Sequence, residues 1–309
     1  MLTIYKNTES GLSTLQEPIT GCWINAIDPT PQEIAQLSEL GIPQDFLTYP
    51  LDQDERARTE REDGSQLVIL RIPFYEGPNV DVPYTTIPLG IILTDRFFVT
   101  VCKRNNEILE EFSSGRARNL STAKRHRFLL RLLLSTASKY LFYLREINKI
   151  VDHLEDQLQL STRNKEVLEL LKYQKSLTYF TTALKSNELM MERLQRSQMF
   201  KMYPDDEDLL EDVITENQQA IETTNISSTI LSSMMDAFAS IISNNLNVVM
   251  KVLASITIIM AVPTMIASFF GMNFNLPLEQ HPAAFFITIV VSGLLSLTAA
   301  YFFWRRDWL

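Results

Sequence analysis

Two long apolar runs separated by a short spacer govern what this chain can fold into. Val252 to Phe270 is nineteen residues without a charge, and Ala283 to Trp304 adds twenty-two. At ~1.5 Å of rise per helical residue, each can cross a hydrocarbon core of ~30 Å. The twelve residues between them, 271–282, suffice only for a tight hairpin that emerges on the far side and returns. The chain reads as a membrane protein with a two-helix anchor, and everything before residue 245 hangs from it.

Bulk composition hides this, because a large charged region dilutes the spans to a mean hydropathy of −0.01. The balance of 28 Lys+Arg against 37 Asp+Glu gives a net charge of −9, which argues against a nucleic-acid partner and leaves acidic surface for cations. Cys22 and Cys102 have no paired spacing and read as two buried, reduced thiols of a cytosolic domain. The N-terminus lacks the charged-then-apolar pattern of a signal peptide, so the large domain is expected to stay in the cytoplasm. Lys251 precedes the first span and Arg305 and Arg306 follow the second, whereas the loop Phe274–Pro282 has no Lys or Arg. That asymmetry places both termini in the cytoplasm and the loop outside, in a multi-pass protein of the plasma (cell inner) membrane.

Glycine and proline divide the chain. The first 90 residues hold nine of the thirteen prolines and six of the nine glycines, while Arg116 to Phe270 has no glycine. The first part reads as mixed α/β, with strands at Gln66–Ile72, Thr85–Leu93 and Arg96–Val101 and a short helix from Pro31 to Gly41. The second part reads as long helices. Leu129, Leu132, Leu133, Leu141, Leu144, Ile147, Val151, Leu154 and Leu158 keep a three-to-four-residue rhythm. A second helix is expected over Asn164–Met199, with Leu168, Leu171, Leu184 and Leu194 among its apolar positions. Pro204 followed by four acidic residues marks a helix start. With no breaker until Pro263, one helix from Leu209 to Phe270 would run ~90 Å, from cytoplasm into bilayer.

A single hairpin cannot enclose a water-filled path, so conduction would need several copies around an axis, most simply a cyclic homo-oligomer. Thr257, Ala261, Thr264 and Ser268 recur at spacings of four, three and four and share one helical face. Small residues also let helices pack closely. Taken with Asn247 below and Asn273 at the outer end, however, a pore-lining face accounts for more of the pattern. The second span, interrupted only by Thr288, Ser292, Gly293, Ser296 and Thr298, reads as the outer, lipid-facing helix. Neither span contains Asp, Glu, Lys or Arg within its apolar run. Neutral oxygen donors suit an ion that keeps its water, and Mg²⁺ gives up its hydration reluctantly. A ring of Asn273 amides could accept hydrogen bonds from that first-shell water.

The run Gly271-Met272-Asn273, closing a span that contains Pro263-Thr264 and follows Lys251, resembles the CorA magnesium channels among the two-transmembrane "GMN" transporters. The short acidic loop, the second span and the basic end with Trp308-Leu309 complete the likeness. Architecturally the resemblance covers the whole chain; residue by residue it is convincing from Asp205 onward. It implies a homopentamer, a funnel-shaped channel in which an α/β cytoplasmic domain hangs from a long stalk helix continuous with the first of two transmembrane helices. The segments are then 1–120, α/β domain; 121–204, long cytoplasmic helices; 205–251, stalk; 252–270, pore-lining span; 271–282, extracellular loop; 283–304, second span; and 305–309, basic cytoplasmic end. Asn273, carried by the turn at Gly271 and Met272, would form the selectivity ring for hydrated Mg²⁺. Asn247, Leu253, Ala261, Thr264 and Ser268 would line the path, Ala261 being smaller than the family can carry there.

The resemblance also implies gating by intracellular Mg²⁺, both substrate and regulatory ligand, bridging acidic groups of neighbouring cytoplasmic domains. Seven acidic residues fall among the twelve from Asp205 to Glu216, a pattern that also suits a solvated helix start. Counting back from Asn273 puts Asp212 at the family's regulatory aspartate and Asp236 at a second acidic position, with Glu76 and Asp81 as candidates on the facing α/β domain. Lys251, Arg305 and Arg306 would form a basic collar at the cytoplasmic mouth, or anchor the helices to anionic lipid.

An enzyme is not expected. The chain has no GxxxxGK[ST] loop and no HExxH helix, and its three histidines are scattered. The rival readings are a Zn²⁺, Co²⁺ or Ni²⁺ transporter of the same superfamily, for which His281 is the only softer ligand near the path, and a non-transporting membrane-anchored scaffold.

Overall fold

The computed structural model describes residues 1–8, 11–115, 121–160, 164–196, 204–272 and 282–308. They form two compact units, Met1–Met235 and Asp236–Leu309.

The first unit is built on a seven-stranded sheet of β1 (Leu2–Thr8), β2 (Gly11–Leu15), β3 (Trp23–Ile27), β4 (Arg58–Glu62), β5 (Ser65–Tyr75), β6 (Tyr84–Leu93) and β7 (Phe98–Cys102). Its strand order is β2-β1-β3-β7-β6-β5-β4, and β3 with β7 is the parallel pair. The three strands expected from sequence are β5, β6 and β7, and the expected short helix is α1 (Pro31–Glu39). Thr30 and Glu33 cap α1 reciprocally, Pro31 opens it, and Gly41 follows it at φ +91°. The β4–β5 hairpin turns on Asp63 and Gly64, both at positive φ, as a two-residue loop of right-handed strands requires. Pro73 and Pro88 sit within strands where partners run out. Pro88 precedes the part of β6 that β7 covers, and its carbonyl accepts from Cys102 Sγ at 3.4 Å.

Period-two alternation sends neighbouring strand residues to two separate cores. Leu67, Ile69, Val99 and Val101 pack with Leu37 of α1, Ile42, and Phe46 and Leu47 of α2 (Gln44–Thr48). Val68, Leu70, Ile72, Leu89 and Ile91 pack with α3 (Glu107–Ser113), α4 (Arg125–Leu160), α5 (Asn164–Arg196) and the first turns of α6 (Pro204–Phe270). On the second face Phe98 and Phe128 stack at 4.2 Å, and Trp23 meets Phe128 edge-on at 5.2 Å. The Trp23 indole donates to Thr100 at 2.8 Å and Thr100 donates to Asn25 at 2.9 Å, so this buried polar chain is satisfied. Both cysteines are buried and unpaired, and burial pushes the Cys102 thiol up to about 11.

All nine apolar positions expected to carry α4 are buried. In α5 the pattern splits: Leu184 and Leu194 are buried, as are Leu170, Tyr173 and Leu177, but Leu168 and Leu171 are exposed, because they fall on the face of the helix turned away from that buried stripe. Helix α5 ends at Arg196 among the described residues, so the expected extension to Met199 lies outside them.

The second unit holds the remainder of α6, a 67-residue helix, and α7 (Ala284–Arg305). Both are long and apolar enough to cross a membrane.

Candidate functional site

The unit 236–309 places the expected path residues on one side of α6. At 100° per residue, Thr257, Ala261, Thr264 and Ser268 fall within about 60° of one another, with Leu253 alongside. All five are exposed in the single chain, as is Asn247. The half-buried or buried positions Val252, Ser255, Ile259, Val262 and Ile266 lie on the opposite face. There Ser296 of α7 donates its hydroxyl to the Ile259 carbonyl at 3.4 Å. Thr288, Ser292, Ala299 and Ala300 are likewise half-buried on the side of α7 that carries Ser296. Sequence reasoning noted the hydroxyls of α7 but assigned them no face; the spacing of four from 288 to 300 was the available signal. Ile259 and Ile266 turn toward this hairpin contact, whereas Ile256 and Phe270 are exposed.

The threonines of the exposed stripe are committed donors. Thr257 donates to the Leu253 carbonyl at 2.8 Å and Thr264 to that of Met260 at 3.0 Å. Each hydroxyl oxygen can therefore only accept, which suits the outward protons of water bound to a cation. Helix α6 closes at Gly271, whose N–H is shared by the carbonyls of Ala267 (3.0 Å) and Ser268 (3.2 Å), and Met272 N–H bonds Phe269. Gly271 is not at positive φ, and an added Cβ would meet Ser268 O at an ordinary 3.5 Å. Among the described residues, nothing requires glycine there. Asn273 and His281 lie outside the described residues.

At the other end of the hairpin, Lys251 and Arg305 are exposed, and the Arg306 guanidinium lies 5.5 Å from the Phe302 ring. The Ser296–Ile259 contact fixes the register. Lys251 is eight residues from it along α6 and Arg305 nine along α7, so the backbones of both lie about 12–14 Å along their helices from that level.

The carboxylates expected to bind a regulatory cation have different surroundings. Asp212 is exposed on α6 and forms no ion pair among the described residues; Asp236, in the other unit, is exposed too. Glu76, just past β5, is gripped by both terminal nitrogens of Arg104, whose guanidinium lies 4.2 Å from the Phe74 ring centroid. Asp81 meets Lys175 of α5 at 2.7 Å and keeps 75% of its side chain exposed. Arg104 and Lys175 were not anticipated from sequence, and no spacing could have announced them. In the acidic run, Asp206 is 4% exposed and held by Arg127 Nε at 2.6 Å, a structural role. Among the described residues of one chain, no three His, Cys, Asp or Glu side chains gather where they could hold a metal ion.

Comparison with known proteins supplies the family. The model of the CorA-like Mg²⁺ transporter protein family matches residues 20–306. The cobalt/magnesium transport protein CorA of Methanocaldococcus jannaschii is 29% identical over 299 residues, 93% of this chain and 91% of that protein. The magnesium transport protein CorA of Helicobacter pylori is 22% identical over 298 residues, covering 93% of this chain and 90% of that protein. The complete structure of the CorA magnesium transporter from Methanocaldococcus jannaschii superposes with a TM-score of 0.86 at 25% identity, over 100% of this chain and 99% of that one. With an α/β unit, one long helix and a second apolar helix in the same order, the chain belongs to the CorA-like Mg²⁺ transporter protein family.

Proposed function

We propose that this chain carries Mg²⁺ into the cell as a homopentameric channel of the plasma (inner) membrane, with both termini cytoplasmic. The observation that carries the reading is the uncharged stripe of Thr257, Ala261, Thr264 and Ser268 on the face of α6 opposite α7. A two-helix anchor needs no such stripe, whereas a ring of copies would turn it toward a common axis. Leu253 and Asn247 continue the lining toward the cytoplasm, and Asn273, with Gly271 and Met272, forms the outer ring that accepts hydrogen bonds from hydrated Mg²⁺. The cobalt and magnesium relatives support the choice of a divalent cation.

Gating follows from intracellular Mg²⁺ held between cytoplasmic domains, with Asp212 and Asp236 on α6 as ligand residues. Of the two α/β candidates, Asp81 suits a hydrated cation better than Glu76: it faces solvent with one lysine, whereas Glu76 is gripped by both terminal nitrogens of Arg104. Loss of the ion leaves like charges facing one another, and the ring loosens.

The test is Mg²⁺ influx into proteoliposomes holding the purified protein, with internal Mg²⁺ near zero and then raised. Suppression by internal Mg²⁺ that Asp212→Ala relieves, and loss of influx in Asn273→Ala, are expected. Passage of Zn²⁺, Co²⁺ or Ni²⁺ with none of Mg²⁺ moves the substrate assignment. Silence toward every ion leaves a membrane-anchored scaffold.

A further inference from the structure

We propose that Ser296 of α7 is a positioning residue for the first span: its hydroxyl serves the carbonyl that Pro263 deprives of a helical donor. This rests on the reading of α6 as the lining of an ion path.

In an α-helix the N–H of residue 263 would bond the carbonyl of residue 259. Pro263 lies inside α6 and has no N–H. The Ile259 carbonyl is therefore left without its helical partner in a segment apolar enough for the bilayer, where no solvent replaces the lost bond. Ser296 Oγ lies 3.4 Å from that oxygen.

The neighbouring hydroxyls make this contact specific. Thr257, Thr264 and Ser255 on α6, and Thr288 and Thr298 on α7, each donate to the carbonyl four residues earlier in their own helix, at 2.7–3.0 Å. Ser296 has the same option at Ser292 and instead reaches across to the other helix. Its target is the one carbonyl that the proline frees.

The consequence for the path is local. Pro263 immediately precedes Thr264, and a proline step is where a helix bends most easily. A donor fixed on α7 holds that step in one arrangement, and with it the orientation of Thr264 and Ser268 on the opposite face.

The test is a mutant cycle on the full-length protein: Ser296→Ala, Pro263→Ala, the double variant, and Ser296→Thr, which keeps the hydroxyl. Mg²⁺ influx into proteoliposomes and thermal unfolding in detergent are both read. Ser296→Ala is expected to lower influx by up to about fivefold, the limit reached when one net hydrogen bond is lost wholly from the conducting arrangement, with Ser296→Thr close to wild type. In the Pro263→Ala background residue 263 again donates to Ile259, so removing Ser296 should change neither influx nor melting temperature further. An unaltered influx in Ser296→Ala, or an effect of equal size in both backgrounds, overturns the proposal. If the wild type passes no Mg²⁺, the transport reading fails by itself. The assignment of Ser296 to Ile259 then stands or falls on whether its melting-temperature loss vanishes with Pro263→Ala.

Discussion

Asn187 of α5 closes both backbone hydrogen bonds of Arg71 in β5: its Oδ1 accepts from Arg71 N–H at 2.9 Å and its Nδ2 donates to Arg71 O at 2.8 Å. Strand β4 begins at Arg58 opposite Ile69, two residues short of Arg71, so a side-chain amide stands in for the missing strand. Tyr140 Oη also donates to the Arg71 carbonyl at 3.0 Å, which leaves the N–H as the group that depends on Asn187 alone. Asn187→Ala is expected to cost about 1–3 kcal/mol, the penalty of a buried unsatisfied donor. Chemical denaturation of the full-length chain measures it; a loss below ~0.5 kcal/mol would mean water takes the place of the amide.

Gly90 of β6 lies against the buried Pro50, and a Cβ there would come within 2.1 Å of Pro50 Cγ and 2.8 Å of its Cβ. The contact is with a stiff ring and leaves no flexible end to give way. Gly90→Ala should destabilise the first unit by about 1–3 kcal/mol through overpacking. Pro50→Gly in the same chain should recover part of the loss, and equal melting temperatures for Gly90→Ala and wild type would contradict this close contact.

Burial holds the His126 imidazole below its ordinary 6.5, with Arg125 acting in the same direction and Asp206 against it. Between that depressed value and 6.5 the unfolded chain takes up a proton that the folded chain refuses. Stability therefore falls as pH drops below 6.5 and levels off once the folded group also protonates. Melting temperatures recorded from pH 7.5 downward should show this decline, and His126→Gln should flatten it over that window.

Lys175 competes with any cation for Asp81. Exposed ion pairs of this kind are worth about 0.2–1 kcal/mol, so Lys175→Met should lower the internal Mg²⁺ needed for half-suppression of influx by up to about fivefold. An unchanged Mg²⁺ response would remove Asp81 from the proposed regulatory site and leave Glu76 as the α/β candidate.

The parts of this molecule legible in its sequence are those where one physical signal dominates. Helix α4 and the apolar end of α6 announce themselves by period and length, and β5, β6 and β7 by dense β-branched and aromatic residues. Strands β2 (Gly11–Leu15) and β4 (Arg58–Glu62) gave no such signal: both are five-residue edge strands, β2 with only Leu12 and Leu15 apolar and β4 with four charged residues and a threonine. The helices α2 and α3, of five and seven residues, were too short to stand out, and β1 and β3 mix Lys6, Asn7 and Asn25 into their apolar residues. Leu168 and Leu171 follow helical period without being covered in the single chain, since period reports an apolar face and not what meets it. Among carboxylates the limit is sharper. Asp206 and Asp212 belong to one acidic run, yet one is buried against Arg127 and the other is exposed, a difference set by an α4 residue nearly eighty positions away.

The committed protons of Thr257 and Thr264 bear on the sign of the charge that the stripe tolerates. An anion in contact with these hydroxyls finds no hydrogen to accept, because each one already points into the helix backbone. A hydrated cation, whose water turns hydrogens outward, finds an oxygen ready at both positions. Such a surface can turn away chloride or phosphate while remaining neutral, and it sets no fixed negative charge against a divalent ion that meets it.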